Sequence, residues 1–144
     1  MSALFFWRGD NYYADIATGK DYHLNQNNEL MLDLARGEHV WAFTRRKDKT
    51  YVLALDLVVA RTKENQVGDP GYKYGRYHVD GDRQRTRYFD TSQIPDAETL
   101  IRSLPCSPSA RILGQSFQGR NGVRLLTPAD EQKLVSFSAG FPTI

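Results

Sequence analysis

The chain has 144 residues, of which 40% are hydrophobic and 25% are charged. This balance is typical of one globular domain spanning residues 1–144 and is too apolar for a disordered chain. The formal net charge is only +2, so a nucleic-acid partner has to be inferred from local clusters of charge. A single cysteine excludes an internal disulfide. The segment MSALFFWRGD lacks a basic leader and no apolar run reaches membrane-spanning length, so we expect a cytoplasmic protein without a membrane partner.

The first third of the chain is predicted to contain one strand and one helix. The aromatic run ALFFWR predicts a strand that ends at a Gly-Asp turn. The next segment, NYYADIATGKDYHLNQNN, is polar and rich in turn-forming residues, and it is predicted to be a loop. The segment NNELMLDLARG predicts a helix, because Asn27 or Asn28 can cap its start and Gly37 can end it.

The clearest pair of elements is predicted in EHVWAFTRRKDKTYVLALDLVVART. Val40–Thr44 and Thr50–Ala60 predict two antiparallel strands joined by the polar turn RRKDK. In the longer strand, the odd-numbered residues from 51 to 59 are expected to share one face. Both faces are apolar except at Asp56, which indicates an interior strand. A carboxylate at that position is either paired with a cation or available to a ligand or a reaction.

A dipeptide suited to tight turns, Asp80-Gly81, predicts a hairpin between the strands YKYGRYHV and RQRTRYFD. Because side chains alternate along a strand, this hairpin would collect on one face Tyr74, Arg76, His78, Arg83, Arg85 and Arg87. Like charges opposite each other destabilise a sheet, so something should neutralise them. The neutralising groups are either acidic side chains of the same fold or the phosphates of a nucleic acid, which arginine can bind through two parallel hydrogen bonds.

The remaining third is predicted to be mainly helical. IPDAETLIRSLPC predicts a helix capped by Asp96, and TPADEQKLVSF predicts a helix capped by Thr127. Between them, SPSARILGQSFQG is either a short helix or irregular, and Asn121-Gly122 indicates a turn. Strands that form hairpins, followed by helices, predict an α+β fold with an antiparallel sheet curled into a partial barrel and with peripheral helices.

Catalytic patterns are missing from the sequence. The three histidines, His23, His39 and His78, lack the spacing of a metal site. GDPGYKYG has neither the G-x-G-x-x-G pattern nor the Lys-Ser/Thr pair of a phosphate-binding loop, and no G-x-S-x-G nucleophile elbow occurs. We therefore expect no catalytic residues, no metal and no cofactor.

The segment LARGEHVWAF…KTYVLALDLVVARTKEN, from Leu34 to Asn65, resembles the core of PUA-like barrels, particularly the EVE branch. ALFFWR matches as a first strand, and Glu38 stands where the family more usually has Asp. The resemblance implies a curled β-barrel with flanking helices that binds RNA or DNA, in some members around a modified base held by aromatic residues. It implies that Trp7 and Trp41 are base-contacting aromatic residues.

These patterns together predict a nucleic-acid-binding module without catalysis, with DNA or RNA as its partner. Phosphate contacts are predicted for Arg76, Arg83, Arg85 and Arg87, and stacking on a base is predicted for Trp41, Trp7 and Tyr74. The alternative is a protein-interaction or small-ligand domain whose basic face meets an acidic partner.

Overall fold

The computed structural model of the chain describes residues 1–107, 109–118 and 122–144, and within them the fold is α+β. The strands are β1 (Ser2–Phe6), β2 (His23–Gln26), β3 (His39–Arg45), β4 (Tyr51–Glu64), β5 (Tyr77–Gly81), β6 (Arg87–Tyr88) and β7 (Val123–Leu126). The α-helices are α1 (Gly9–Ala17), α2 (Glu98–Ser103) and α3 (Pro128–Ser138), and short 3-10 helices cover Glu29–Asp33 and Gly114–Ser116. Asn121 of the predicted Asn-Gly turn lies outside the described residues.

The seven strands form one mixed sheet in the order β2-β5-β4-β3-β1-β7, with β6 also paired to β4. β1 runs parallel to β3, with Ala3 opposite Val40, and the other pairs are antiparallel. The expectation of a purely antiparallel sheet is therefore wrong for β1 and β3. The long connection through α1 and β2 supplies the crossover that a parallel pair needs. The sheet does not close into a barrel, because β2 and β7 remain at the two ends of this order.

The prediction of a long interior strand paired antiparallel with its predecessor is confirmed. β3 pairs antiparallel with β4, and every residue of β4 from Tyr51 to Val59 is buried. The predicted assignment of faces is wrong in detail, because the pairing shifts where Ala42 lies opposite Leu55 and Phe43 lies opposite Leu53. The extra residue in β4 is a β-bulge, which reverses the alternation of side chains on either side of it.

The two faces of the sheet pack into two separate apolar clusters. One cluster contains at least one buried residue from each of the seven strands, including Leu57, Val79 and Val123. The other cluster joins β3 and β4 to the helices of the C-terminal half, through residues such as Ile101 and Leu134. β4 contributes to both clusters, so the sheet has no solvent-facing side from Tyr51 to Val59 of this strand.

The hairpin predicted at Asp80-Gly81 is wrong. Both residues belong to β5, and β5 and β6 each pair with β4 instead of with each other. Residues 77–88 therefore form one interrupted strand along an edge of β4. The interruption is a turn in which the amide of Thr86 donates to the carbonyl of Asp82 at 2.9 Å. A Cβ built on Gly81 would lie 2.9 Å from Leu57, so this glycine allows close packing and does not form a turn.

The helix predictions are confirmed near the C-terminus and partly wrong near the N-terminus. The side chain of Thr127 caps α3 by accepting from the amide of Asp130 at 3.1 Å. Asp96 accepts from the amide of Glu98 at 2.7 Å, but the N-cap residue of α2 is Ala97, one position after the predicted cap. The helix predicted from Asn27 is shortened to a 3-10 helix over Glu29–Asp33 and capped by Asn28. α1, β2 and β7 were not predicted. None of the helices in the described part of the chain has the length and apolarity that crossing a membrane requires.

Truncating a buried side chain of β4 should destabilise the protein strongly. Leu57 is fully buried, so Leu57→Ala removes apolar contacts and leaves a cavity, and we expect the free energy of unfolding to fall by about 2–5 kcal/mol. The control is Val67→Ala, because Val67 is 84% exposed and its truncation should change stability by less than about 0.5 kcal/mol. Urea unfolding followed by circular dichroism measures both. Equal stability of the two variants would contradict the assignment of Leu57 to the core.

Candidate functional site

A cleft of about 870 Å³ opens between the end of β1, helix α1 and strand β2. Aromatic side chains form much of its lining: Phe5, Phe6, Trp7, Tyr74, Tyr88 and Phe117. Phe5 and Tyr88 are buried members of the cluster that all seven strands share, whereas Tyr74 is 67% exposed. The cleft thus has a rigid aromatic floor and a more accessible aromatic residue at its rim.

Polar side chains also line the cleft, including those of Arg8, Thr18 and His23. Asn11, Asn25, Gln26 and Gln118 contribute side-chain amides, and Asp15 and Asp21 contribute carboxylates. The indole N–H of Trp7 donates to Oδ2 of Asp15 at 3.1 Å, which holds the two side chains together. A planar ligand with a polar edge matches this combination of rings and amides.

A second hollow, which we call the side hollow, adjoins the cleft and has a volume of about 820 Å³. The two share the lining residues Phe5, Phe6, Gln26, Phe117 and Gln118. The side hollow is also lined by Val123 of β7, so residues of both outermost strands of the sheet, β2 and β7, border it. Cleft and side hollow therefore form one continuous depression beside the two edges of the sheet.

The loop between β4 and β5 forms part of the rim of the cleft, and two glycines of this loop lie against β2. A Cβ on Gly75 would lie 2.6 Å from the backbone nitrogen of Gln26, and one on Gly71 would lie 2.6 Å from Oδ1 of Asn25. Glycine is required where two chain segments approach this closely. This contact places Tyr74 at the cleft, with the ammonium of Lys73 4.9 Å from the centre of its ring.

Arg83 is a second cation near the cleft. The guanidinium of Arg83 lies 5.0 Å from the centre of the Tyr22 ring, and Tyr22 stands between Asp21 and His23, which both line the cleft. The amide of Tyr22 donates to the hydroxyl of Tyr88 at 3.0 Å. Lys73 and Arg83 are thus held beside the cleft by aromatic rings.

Trp41 was predicted to contact a base, but it does not lie at the cleft. It is fully buried in the cluster that faces the helices, and its indole N–H points to Oε2 of Glu131 at 3.5 Å. It does not line the cleft or the side hollow. Trp7 and Tyr74 both line the cleft, and their contact with a base stays a prediction.

The four predicted arginines do not form a common face. Arg76 pairs with Glu64, with Nε 2.8 Å from Oε1, and Arg83 stacks on Tyr22. Arg85 is exposed in the turn that interrupts the strand, near His39. Arg87 is partly exposed and is paired with the buried carboxylate of Asp56. The alternation of side chains expected from a regular hairpin is lost because residues 83–85 are in a turn.

Asp56 explains the position of Arg87. The Asp56 carboxylate is buried and accepts from Nη2 of Arg87 at 2.9 Å through Oδ2 and contacts Nδ1 of His39 at 2.6 Å through Oδ1. Arg87 also donates to the hydroxyl of Ser138 at 3.2 Å. Of the two roles open to Asp56 from the sequence, pairing with cations is the one the structure supports. Two partners offset the cost of burying this charge.

Sequence reasoning missed the amide and carboxylate residues of the cleft and Tyr88. Asn25, for example, lies in the segment predicted to be a loop, and Tyr88 lies in the segment predicted to be the second strand of the hairpin. The glycines at positions 71 and 75 were a usable signal that a backbone approaches closely, but nothing in the sequence names β2 as the segment approached. Burial raises the pKa of Tyr88, so its hydroxyl keeps its proton and can donate at neutral pH.

No protein-family model matches the chain, and no curated protein matches it significantly. Within residues 1–107, 109–118 and 122–144, no three side chains of His, Cys, Asp or Glu cluster in a way that could hold a metal ion. The chemical interpretation of the cleft therefore depends on its own geometry.

The ion pair between His39 and Asp56 should make stability depend on pH. The hydrogen bond to Asp56 raises the pKa of His39, burial and the Arg85 charge oppose this, and Glu131 adds to it. A raised pKa in the folded state means that protonated His39 contributes its full stabilisation below the ordinary value of about 6.5. This contribution is lost as the pH rises from there through the raised pKa.

The free energy of unfolding should accordingly decrease between pH 6 and pH 8 in the wild type, and His39→Gln should make this part of the profile flatter. His23→Gln is the matched control, since His23 contacts the backbone carbonyl of Asp21 and not a carboxylate. Urea unfolding at several pH values measures the slopes. A His39→Gln slope equal to that of the wild type would show that the pair contributes no pH-dependent stability.

Proposed function

We propose that the chain is a non-catalytic nucleic-acid-binding module, and that its cleft takes one unpaired base of a DNA or RNA strand. The observation that carries this proposal is the lining of the cleft, where aromatic rings and side-chain amides face the same space. Bases outside a duplex are recognised by the same combination, with stacking on rings and hydrogen bonds to their exposed edges.

The distribution of charge supports a base inside the cleft and a backbone outside it. Asp15 and Asp21 line the cleft together with Arg8, which is paired with Asp10. The two aspartates would repel a phosphate but can accept hydrogen bonds from a base. Lys73 and Arg83 lie at the rim, where phosphates of the same strand would pass. Nucleic-acid affinity depends mainly on such phosphate contacts, whereas base contacts give specificity.

We further propose that the fold is a partial barrel of the PUA-like type, of the EVE branch. Two features support this. The cluster on one face of the sheet draws residues from all seven strands, and residues of the outermost strands, β2 and β7, border the same side hollow. A flat sheet would hold its outermost strands far apart, so strong curvature accounts for both features.

The alternative partner, an acidic protein that meets a basic face, is less well supported. Of the four arginines that would form such a face, Arg76 and Arg87 are already paired with Glu64 and Asp56, and Arg83 stacks on Tyr22. A neutral small ligand is another possible occupant of the same cleft, and its binding would not respond to salt.

Tyr74→Ala should weaken binding of a fluorescently labelled single-stranded oligonucleotide by about 1–3 kcal/mol, because a base loses its stacking partner. The salt dependence should stay almost unchanged, since stacking releases no counterions. Tyr72→Ala is the matched control: Tyr72 lies in the same loop and is 46% exposed, but it does not line the cleft. Fluorescence anisotropy gives the affinities.

Arg83→Ala should instead flatten the slope of log K against log salt by roughly 0.7 on single strands and 0.9 on duplex. Arg76→Ala removes the same charge from a residue already paired with Glu64 and should leave the slope nearly unchanged. Failure of the wild-type protein to bind DNA and RNA at micromolar concentration and low salt would refute the proposed function. Equal effects of Tyr74→Ala and Tyr72→Ala would remove the cleft from it.

A further inference from the structure

Outside the cleft, His39 and Arg85 come close together at one position along β4. Val58 of β4 lies opposite His39 on one side, and on its other side its backbone is hydrogen-bonded to the turn of residues 82–86, which carries Arg85. A Cβ built on Gly37, two residues before His39, would lie 3.9 Å from Nη1 of Arg85. The guanidinium therefore reaches from the turn to the start of β3.

The imidazole of His39 has one nitrogen in a hydrogen bond and one without a partner. Nδ1 lies 2.6 Å from Oδ1 of Asp56. That carboxylate is also paired with Arg87 and accepts hydrogen bonds, so Nδ1 carries a hydrogen and Nε2 is the nitrogen that gains or loses the proton. Nε2 has no hydrogen-bond partner among the described residues. Within them, the one buried side-chain nitrogen or oxygen that lacks a partner is Oδ2 of Asp130, so Nε2 is open to solvent.

The charges around His39 leave a place for an anion. The groups that face His39 or its carboxylate partner come from three elements and the turn: Asp56 of β4, Arg87 of β6, Glu131 of α3 and Arg85. Glu38, the neighbour of His39 in the chain, is paired with the N-terminal amino group. With His39 protonated, positive charges therefore outnumber negative ones. The guanidinium of Arg85 is exposed and pairs with no carboxylate in the described part of the chain.

We propose that Arg85 and His39 form a second phosphate site, in which the guanidinium and the Nε2–H of protonated His39 donate hydrogen bonds to one backbone phosphate of the bound strand. The proposal rests on the proposed function. Arg83, which lies beside the cleft, and Arg85 belong to one turn, and their Cα atoms are at most about 7 Å apart. The turn thus supplies one cation to the cleft and another to His39, and a strand that passes the first comes near the second.

Binding at this site takes up a proton from solvent, because neutral His39 would present the lone pair of Nε2 to the phosphate. The pKa of His39 should be higher in the complex than in the free protein. Affinity is then greatest below the pKa of the free protein and is lost as the pH rises from there through the pKa of the complex. Between pH 6 and pH 8, we expect the affinity for a labelled single-stranded oligonucleotide to fall at least about threefold.

His39→Gln should abolish this pH dependence, because glutamine does not titrate. His78→Gln is the matched control: His78 also contacts a carboxylate, that of Asp80, and it does not line the cleft or the side hollow. This control should keep the pH dependence of the wild type. Fluorescence anisotropy at both pH values gives the affinities, and circular dichroism checks that each variant is folded.

Arg85→Ala provides a second variant if His39→Gln does not fold, because Arg85 is exposed in a turn. It should lose about tenfold in affinity at pH 6 and most of the pH dependence, since the phosphate is no longer held against His39. Arg111→Ala is its control. Arg111 is also exposed and does not line the cleft or the side hollow, so the loss of its screened charge should cost no more than about twofold.

The pKa of His39 can also be measured in the wild type, from the ring signals of the histidines in proton spectra recorded with and without the oligonucleotide. An unchanged pKa on binding would overturn the second phosphate site. So would a His39→Gln protein with the pH dependence of the wild type, or an Arg85→Ala protein that binds as well as Arg111→Ala. All three results leave the proposed function intact, whereas a wild-type protein that binds no oligonucleotide at either pH would refute the proposed function itself.

Discussion

A strand that is buried on both faces must have partners for its backbone on both edges, and β4 meets this requirement along most of its length. β3 pairs with one edge, and the interrupted strand of residues 77–88 pairs with the other. Where that strand is interrupted, the amide of Val58 donates to the hydroxyl of Thr86 at 3.0 Å, and its carbonyl accepts from the amide of Asp82 at 2.7 Å. Unpaired backbone groups in the interior would cost about 1–3 kcal/mol each. The turn between β5 and β6 therefore supplies the hydrogen-bond partners that Val58 of β4 requires.

The cleft is a consequence of the same arrangement. β5 pairs with the second half of β4 and carries β2 on its outer edge, which places β2 near the end of β1 and leaves an opening between them. The loop after β4 closes over β2 through Gly71 and Gly75, and it brings Tyr74 to the rim. Among the polar groups of the cleft, those of Asn25 and Gln26 are positioned by the pairing of β2 with β5, which favours a preformed binding site at this strand.

The sequence predicted the elements whose signals are strong and local, and it failed where a residue's role depends on distant contacts. β3 and β4 were predicted because long runs of apolar residues that include β-branched and aromatic side chains favour β-strands. The hairpin prediction failed because Gly81 is needed for close packing against Leu57 and Thr86, which looks the same in the sequence as a turn glycine. Trp7 and Tyr74 were predicted as aromatic contacts and do line the cleft, whereas Trp41 is buried beneath the helices. Asn25 gave no local signal, since its place in the lining of the cleft follows from the pairing of β2 with β5.

The central claim, that the cleft receives the base, can be tested with the two tryptophans of the chain, because only Trp7 lines the cleft and Trp41 is fully buried on the other face of the sheet. Each gives its own indole N–H signal in a nitrogen–proton correlation spectrum. During titration with a single-stranded oligonucleotide, the Trp7 signal should shift progressively and saturably, while the Trp41 signal stays in place. A shift of Trp41 without a shift of Trp7, or saturable binding that moves neither signal, would contradict the assignment of the cleft as the base-binding site.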